Sequence, residues 1–211
     1  MTNQMAEHSL GRIEVERLKG NETFRLAGER LPFSVHDFWS WSVSDLVSNA
    51  TRGILAEYIV AKACGVDTSR PRDEWAAVDL ETPEGILIEV KSAAFIQSWY
   101  QQKLSAISFG VKKTLKWDPD TNKQDDKPTR AADVYVFALL AHKDQKTLDP
   151  LNLDQWEFYV LRTATLNNRK RSQHSITLPS LKRLNAGPHR LRELRDAVLQ
   201  ASSSQRKTQE E

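Results

Sequence analysis

One stretch of the chain, Asp133–Ala141, is an almost unbroken run of apolar residues, and it limits the folds open to the whole chain. The run is rich in valine and aromatic residues, which favour extended backbone. Its length suits a β-strand and is far short of a membrane span. A strand that is apolar on both sides must be covered on both faces. The sequence therefore predicts a central, buried strand.

Further elements are predicted from hydrophobic spacing around this strand. After Ser44, a suitable N-cap residue, apolar residues recur at helical spacing until Cys64, where Gly65 is a natural stop. This pattern predicts either one helix or two helices joined near Asn49-Ala50. The other predictions are strands at Trp75–Glu81, Ile86–Ala93 and Trp156–Arg162, and helices at 95–106, 178–185 and 188–201. Together they predict an α/β fold, a mixed β-sheet of four or more strands flanked by helices.

The two ends of the chain are expected to lie outside the main domain. Residues 1–36 are interpreted as an N-terminal extension, with a strand pair formed by Arg12–Leu18 and Thr23–Leu26. Residues 37–201 are predicted to form the domain. Residues 202–211 are polar and are predicted to be a disordered tail.

Two segments within the domain are informative for different reasons. Residues 37–41, DFWSW, place two tryptophans beside a phenylalanine and are interpreted as a packing anchor at the edge of the core. Residues 117–130 have no apolar periodicity and are predicted to form a long polar loop.

Composition excludes several classes of protein. With one cysteine, Cys64, the chain can form neither an internal disulfide nor a zinc site of several thiolates, and this residue is interpreted as a small core side chain. No apolar stretch approaches the ~20 residues of a membrane span, and the first residues lack a signal-peptide core. We therefore expect a cytoplasmic protein with no membrane partner. A net charge of +2 neither supports nor excludes a nucleic-acid partner.

The sequence Glu89-Val90-Lys91 lies at the end of an otherwise apolar predicted strand. Because side chains alternate between the faces of a strand, Glu89 and Lys91 point the same way. Two opposite charges on such a strand are costly if they are simply buried. They are expected where a functional site uses them, although an exposed ion pair on an edge strand is the alternative.

Asp79 precedes this strand across a short turn, Thr82–Gly85. The turn can bring the Asp79 carboxylate near Glu89, where the two negative charges repel unless a cation lies between them. Mg²⁺, or Mn²⁺ in its place, suits such a site because it takes oxygen ligands from carboxylates, water and phosphate. Lys91 can then position the attacking water and stabilise the negative charge that develops on a phosphate.

Glu57 is a lone carboxylate on a strongly apolar helical segment. Its neighbours one helical turn away, Gly53 and Ala61, are small and would let that face approach another element closely. We therefore expect the Glu57 carboxylate to be half-buried and directed at a site. A solvated glutamate on the open face is the alternative.

The residues Glu57, Asp79 and Glu89-Val90-Lys91 resemble the core motif of the PD-(D/E)XK, or restriction-endonuclease-like, superfamily. The resemblance implies hydrolysis of phosphodiester bonds with a divalent metal, usually in DNA, with Asp79, Glu89 and Glu57 as metal ligands. It also implies that a homodimer is an option. Val78 stands where the motif has proline. In a wider region, residues 37–200, the chain is similar to a group of uncharacterised bacterial proteins.

Other residues are candidates for nucleic-acid binding. Ser92 and Gln97 follow the predicted catalytic strand, and Gln97 suits either a substrate contact or a local hydrogen bond. Arg169-Lys170-Arg171 is the densest part of a basic region that would attract a phosphate backbone. His174 and His189 have no partner at metal-ligand spacing and are assigned no catalytic role.

The prediction for the whole chain is a Mg²⁺- or Mn²⁺-dependent DNA endonuclease with Glu57, Asp79, Glu89 and Lys91 at its active centre. The alternatives are a catalytically silent nucleic-acid-binding module of the same fold, and a protein in which the charged motif is an accidental ion pair. The sequence does not choose between restriction, repair and anti-phage roles.

Overall fold

The computed structural model describes residues 10–206 and has a four-stranded mixed sheet at its centre. The strands are β1 (Thr23–Leu26), β2 (Glu29–Ser34), β3 (Leu80–Glu81), β4 (Leu87–Ala94), β5 (Ser108–Gly110), β6 (Trp117–Asp118), β7 (Lys123–Gln124), β8 (Val134–Leu140), β9 (Trp156–Arg162) and β10 (Ser175–Thr177). The helices are α1 (Val35–Val43), α2 (Asn49–Cys64), α3 (Thr163–Asn167), α4 (Leu178–Arg183) and α5 (Leu194–Arg206), with short 3₁₀ turns at Leu153–Gln155 and Leu191–Glu193.

The central sheet has the strand order β3-β4-β8-β9. Strands β4 and β8 are parallel, while β3 and β9 are antiparallel to their neighbours. Every residue of β8 is buried, which confirms the prediction of a central strand. The small pairs β1-β2, β5-β10 and β6-β7 are separate two-stranded sheets.

The two faces of the central sheet are covered differently. Helices α2 and α5 pack on one face, where Ile88, Val136 and Phe158 join Ala56 and Val198 in one apolar cluster. The other face carries a second cluster, formed between β8 and β9 and the β5-β10 pair with α3 and α4. Its buried members include Phe137, Tyr159, Phe109, Ile176, Leu166 and Leu181. The predicted α/β class, a mixed sheet flanked by helices, is confirmed.

The helical region before the sheet differs from the prediction. Ser44 does not start a helix; it is the C-cap of α1, and α2 begins at Asn49 after Ser48. The prediction missed α1, whose start is set by a capping box between Ser34 and Asp37. Helix α2 ends as predicted, with Gly65 in the left-handed conformation at φ 73°.

The aromatic residues of α1 do not form the predicted packing anchor. None of the residues of α1 is buried, and Phe38, Trp39 and Trp41 are all exposed, Trp41 to 84%. The predicted domain boundary between residues 36 and 37 falls inside the first turn of this helix.

The predicted strand pair near the N-terminus is wrong in one partner. Residues 12–18 form no strand, and Thr23–Leu26 pairs instead with Glu29–Ser34. The connection is the two-residue turn Ala27-Gly28, in which both residues have positive φ, as a tight hairpin requires. This short turn holds its flanking residues side by side, so Thr23–Leu26 pairs with the segment that follows it and not with residues 12–18.

Two predicted elements before β8 are wrong. The strand predicted at Trp75–Glu81 is reduced to Leu80–Glu81. Residues 95–106 form no helix, because glutamine side chains bind the backbone that a helix would use: Gln101 accepts from the Gln97 amide at 2.7 Å and donates to the Phe95 carbonyl. The predicted polar loop at 117–130 is exposed over most of its length and contains the small β6-β7 pair.

The two C-terminal helices are shifted relative to the prediction. Helix α4 ends at Arg183, two residues early, while α5 begins at Leu194, six residues late, and continues to Arg206. The predicted disordered tail is therefore wrong for residues 202–206, and residues 207–211 lie outside the described residues. No helix within residues 10–206 is both long and apolar enough to cross a membrane.

Candidate active site

The alternation of β4 places Glu89 and Lys91 on the same face of the central sheet, beside Tyr135 of β8. The Lys91 ammonium donates to a Glu89 carboxylate oxygen at 2.5 Å. The side chains are only 21% and 34% exposed, so this ion pair is more deeply set than a surface pair. The sequence prediction that the two charges meet on one face is confirmed.

Asp79 lies just before β3, next to the residue pair Leu80–Ile88 that starts the hairpin. Its carboxylate accepts a hydrogen bond from the backbone amide of Val90 at 2.7 Å, which fixes it alongside the Glu89-Val90-Lys91 sequence. Burial raises the pKa of the Glu89 carboxyl, and the nearby charge of Asp79 raises it further, against the opposing effect of Lys91. The turn therefore brings the two carboxylates together, as the sequence predicts.

Glu57 approaches the same region from α2 and is 13% exposed. Burial raises the pKa of the Glu57 carboxyl; the hydrogen bond from Arg72 lowers it, and the charge of Asp79 raises it. The expectation of a half-buried, directed carboxylate is confirmed. The reason given for that expectation, a close approach of another element at Gly53, is wrong, because a Cβ atom at Gly53 would have no neighbouring atom within 4 Å.

Arg72 is a site residue that the sequence analysis missed. Its guanidinium holds both oxygens of Glu57, with an Nη2–Oε1 distance of 3.0 Å and a second bond from Nε. This two-pronged contact fixes the plane of the carboxylate as well as its position. Arg72 lies in the polar loop between α2 and β3, which also contains Arg70, and the sequence gives no signal that either arginine has a specific partner.

The carboxylates supply the oxygen ligands that a hard metal ion prefers, but they do not form a complete coordination site by themselves. Within residues 10–206, no group of three or more His, Cys, Asp or Glu side chains is arranged to hold a metal. Mg²⁺ needs fewer, since one or two carboxylates with water and substrate phosphate are its usual ligands. Asp79 and Glu89 offer such a pair, and the charge of Asp79 raises the pKa of Glu89, so a cation between the two carboxylates would relieve repulsion.

Glu89 and Lys91 open into a cleft of about 270 Å³. The other residues that line it come from β5, β8 and the segments next to β3, β5, β8 and β10; they are Ala77, Gly110, Lys112, Thr114, Arg130, Ala131, Tyr135 and His174. Burial raises the pKa of Tyr135 to about 12, and the charge of Glu89 adds to this effect. A wider cleft of about 780 Å³, between residues 12–17 and 69–73, includes none of the four predicted active-centre residues.

Ser92 and Gln97 lie away from this cleft. Ser92 is on the opposite face of β4 from Lys91, where its hydroxyl accepts from the buried guanidinium of Arg52 at 3.2 Å. Gln97 is buried, accepts from Arg52 at 3.3 Å and donates to the Ala94 carbonyl at 2.8 Å. Of the two interpretations of Gln97, the structure therefore favours local hydrogen bonding over contact with substrate.

The basic sequence Arg169-Lys170-Arg171 lies in the connection between α3 and β10. Lys170 and Arg171 are exposed, while Arg169 is half-buried and donates to the Ser175 carbonyl at 3.3 Å. Burial lowers the pKa of Arg169, and the charges of Arg130 and Arg171 lower it further, which places the group near the cleft residue Arg130. His174 follows this sequence closely and lines the cleft, a position that its sequence spacing did not indicate.

Comparison with curated proteins found no match. A family model described as bacteriophage T4 endonuclease IV matches residues 36–179. The matched region runs from α1 to the start of α4 and contains Glu57, Asp79, Glu89, Lys91 and the whole lining of the cleft. It covers about two thirds of the chain. The chain therefore belongs to the bacteriophage T4 endonuclease IV family, which supports a nuclease acting on nucleic acid.

Proposed function

We propose that this protein is a metal-dependent DNA endonuclease with an active centre of the PD-(D/E)XK type. The observation that carries the proposal is the Glu89–Lys91 ion pair on one face of β4, with Asp79 fixed beside it by the Val90 amide. Membership of an endonuclease family supports the reaction class. The superfamily, the metal and DNA as substrate rest on the motif and on the charges around it.

Asp79 and Glu89 would hold Mg²⁺ or Mn²⁺, and Glu57 would bind a second ion or the water shell of the first. When bound, the metal supplies polarisation of the phosphate and activation of water. The protein supplies the fixed geometry: the Val90 amide orients Asp79, and Arg72 orients Glu57. Such preorganised charges avoid the cost of rearrangement during the reaction.

Lys91 has a role that the carboxylates cannot fill. Its ammonium remains beside Glu89 at the edge of the cleft, where it can position the attacking water and stabilise the negative charge that grows on the phosphate. Glu89 in turn limits the freedom of the lysine side chain. The pair therefore acts as one unit, and loss of either member should impair cutting.

The test is to incubate the purified protein with supercoiled and linear DNA, in Mg²⁺, in Mn²⁺ and in EDTA. Lys91→Ala and Asp79→Asn are compared with Lys146→Ala, which removes an exposed lysine on the loop after β8. We expect metal-dependent cutting of both DNA forms by the wild type and by Lys146→Ala, and strongly reduced cutting by the other two variants. Circular dichroism of each variant controls for folding.

Other results would replace this proposal. Tight, metal-independent DNA binding without cutting would indicate a silent binding module. Cutting that survives Lys91→Ala and Asp79→Asn would move the active centre elsewhere in the chain. Cutting of linear DNA alone, from its ends, would indicate an exonuclease.

A homodimer, if it forms under the assay conditions, would be measured by sedimentation in the same buffers.

A further inference from the structure

The cleft that contains Glu89 and Lys91 has a second side, formed at one end of the β5-β10 pair. We propose that Lys112 and His174 on this side bind the phosphate backbone of the nucleic acid, and that buried Arg130 holds the two in place. This inference rests on the proposed function, because it assigns the path of the substrate next to that centre. It adds two substrate contacts and one positioning residue.

Strand pairing brings Lys112 and His174 to the same end of the small sheet. Gly110 of β5 pairs with Ser175 of β10, and the Val111 amide then donates to the His174 carbonyl at 2.9 Å. His174 therefore lies opposite Val111, the residue before Lys112, so both residues are at the same end of the small sheet although 61 residues separate them in the chain. Both side chains are exposed and line the cleft, so a ligand can reach them.

Arg130 joins the residues that precede these two side chains. Its guanidinium donates to the Val111 carbonyl at 2.9 and 2.7 Å, and to the Gln173 carbonyl at 2.9 Å. A further bond goes to the Asn167 side chain at 2.5 Å. One buried cation therefore fixes the backbone before Lys112 and the backbone before His174.

The positive charge of Arg130 has no acidic partner among the described residues. It is only 9% exposed, and all of its hydrogen-bond acceptors are neutral carbonyl or amide oxygens. Burial lowers its pKa, yet an arginine keeps its charge in proteins. A buried cation without a counter-ion, at the wall of an open cleft, favours an anion in that cleft.

The size and charge of the cleft fit one stretch of a polymer backbone. Its volume of about 270 Å³ is below the roughly 300–1,000 Å³ of pockets that enclose whole small molecules. Lys91, Lys112 and Arg130 outnumber the single acid Glu89 among its lining residues. A phosphodiester chain lying across the opening would meet Glu89 and Lys91 on one side and Lys112 and His174 on the other.

The test measures binding rather than cutting. A labelled DNA duplex is titrated in EDTA at several salt concentrations with the wild type, Lys112→Ala, His174→Ala and two exposed-residue controls, Lys146→Ala and His36→Ala. Each phosphate contact that is lost should lower the slope of log affinity against log salt by about 0.9. We expect that change for Lys112→Ala, a weaker affinity for His174→Ala, and wild-type binding for both controls.

The outcomes separate this inference from the proposed function. If Lys112→Ala and His174→Ala bind DNA with the affinity and salt slope of the controls, the inference is overturned, whether or not the protein cuts. If both variants bind more weakly while the wild type fails to cut, the inference holds and the proposed activity is wrong. Failure of the wild type to bind DNA at low salt would overturn both.

Discussion

The two faces of β4 are built from alternate residues of the same strand, and they differ in almost every respect. Ile88 and Val90 are 0% and 6% exposed and lie in the apolar cluster under α2 and α5. Glu89 and Lys91, one residue away, carry opposite charges and open into a cleft. One strand therefore contributes to the stability of the fold through the residues of one face and to the candidate active site through the residues of the other.

The difference arises from what covers each face. Two long helices close the first face along its length, whereas the second face is covered mainly by the β5-β10 pair with two short helices. That smaller cover buries Phe137 but leaves Glu89 and Lys91 at the rim. We therefore expect changes on the closed face to alter folding and changes on the open face to alter activity.

The largest expected effect is on the open face. Lys91→Ala should lower the rate of DNA cutting by about 100- to 1,000-fold, because it removes the charge that stabilises the transition state. The free energy of unfolding should stay close to that of the wild type, since the side chain is partly exposed. Single-turnover cutting and urea unfolding measure the two quantities. A loss of stability as large as the loss of activity would break the comparison.

On the closed face, Ile88→Ala should lower the free energy of unfolding by about 2–5 kcal/mol, the usual range for removing a buried aliphatic side chain. At a temperature where the variant remains folded, its rate of DNA cutting should match the wild type. Urea unfolding and the same cutting assay test this. A large fall in rate for fully folded Ile88→Ala would show that the two faces are coupled.

The stability of Glu89→Gln relative to the wild type should depend on pH, and this dependence tests the open face further. Because burial and Asp79 raise the pKa of Glu89, the folded protein holds this proton more tightly than the unfolded chain. The wild type therefore loses stability as the pH rises from the ordinary glutamate value through the raised one. At neutral pH, Glu89→Gln should be more stable than the wild type in EDTA, and it should fail to cut DNA in Mg²⁺.

The pH profile of that difference decides the interpretation. The stability gain of Glu89→Gln should shrink as the pH falls through the raised pKa, and should be small below the ordinary glutamate pKa of about 4.3, where the wild-type carboxyl is protonated in both states. Thermal unfolding from acid to neutral pH measures the profile. A variant that is less stable than the wild type at neutral pH would show instead that the ion pair with Lys91 stabilises the fold.

The smallest effect is expected at Cys64, which reports whether the closed face admits reagents. This thiol is 1% exposed in the cluster under α2, and burial raises its pKa to about 11. Thiolates, not thiols, react with alkylating agents. Iodoacetamide should therefore leave native protein unmodified at pH 7 and modify it in urea, as read by mass spectrometry. Rapid modification of the native protein would mean that this face opens readily.

Much of the site could be predicted from local spacing. The alternation of β4 assigns Glu89 and Lys91 to one face, and the Thr82–Gly85 turn brings Asp79 back toward them. Strand β9 was predicted with the bounds that the structure has. These features depend on the period of a strand and on a four-residue turn, so nearby residues determine them.

What local spacing could not indicate is which distant segments pair. The Arg72–Glu57 contact and the exposure of the α1 tryptophans depend on neighbours that are remote in sequence or absent, and the missing helix at 95–106 reflects side-chain hydrogen bonds that compete for its backbone. Each outcome is a competition between alternative partners for the same groups, and a pattern of residue types does not rank those partners.

The sequence by itself therefore determined the buried strand, the charged pair on β4 and the carboxylates that surround it. Only the tertiary structure decided that Lys112, Arg130 and His174 face that pair across a cleft. The physical reason is that a strand's own period assigns its side chains to faces, whereas a cleft is made when segments some 60 residues apart pair and a buried side chain joins them.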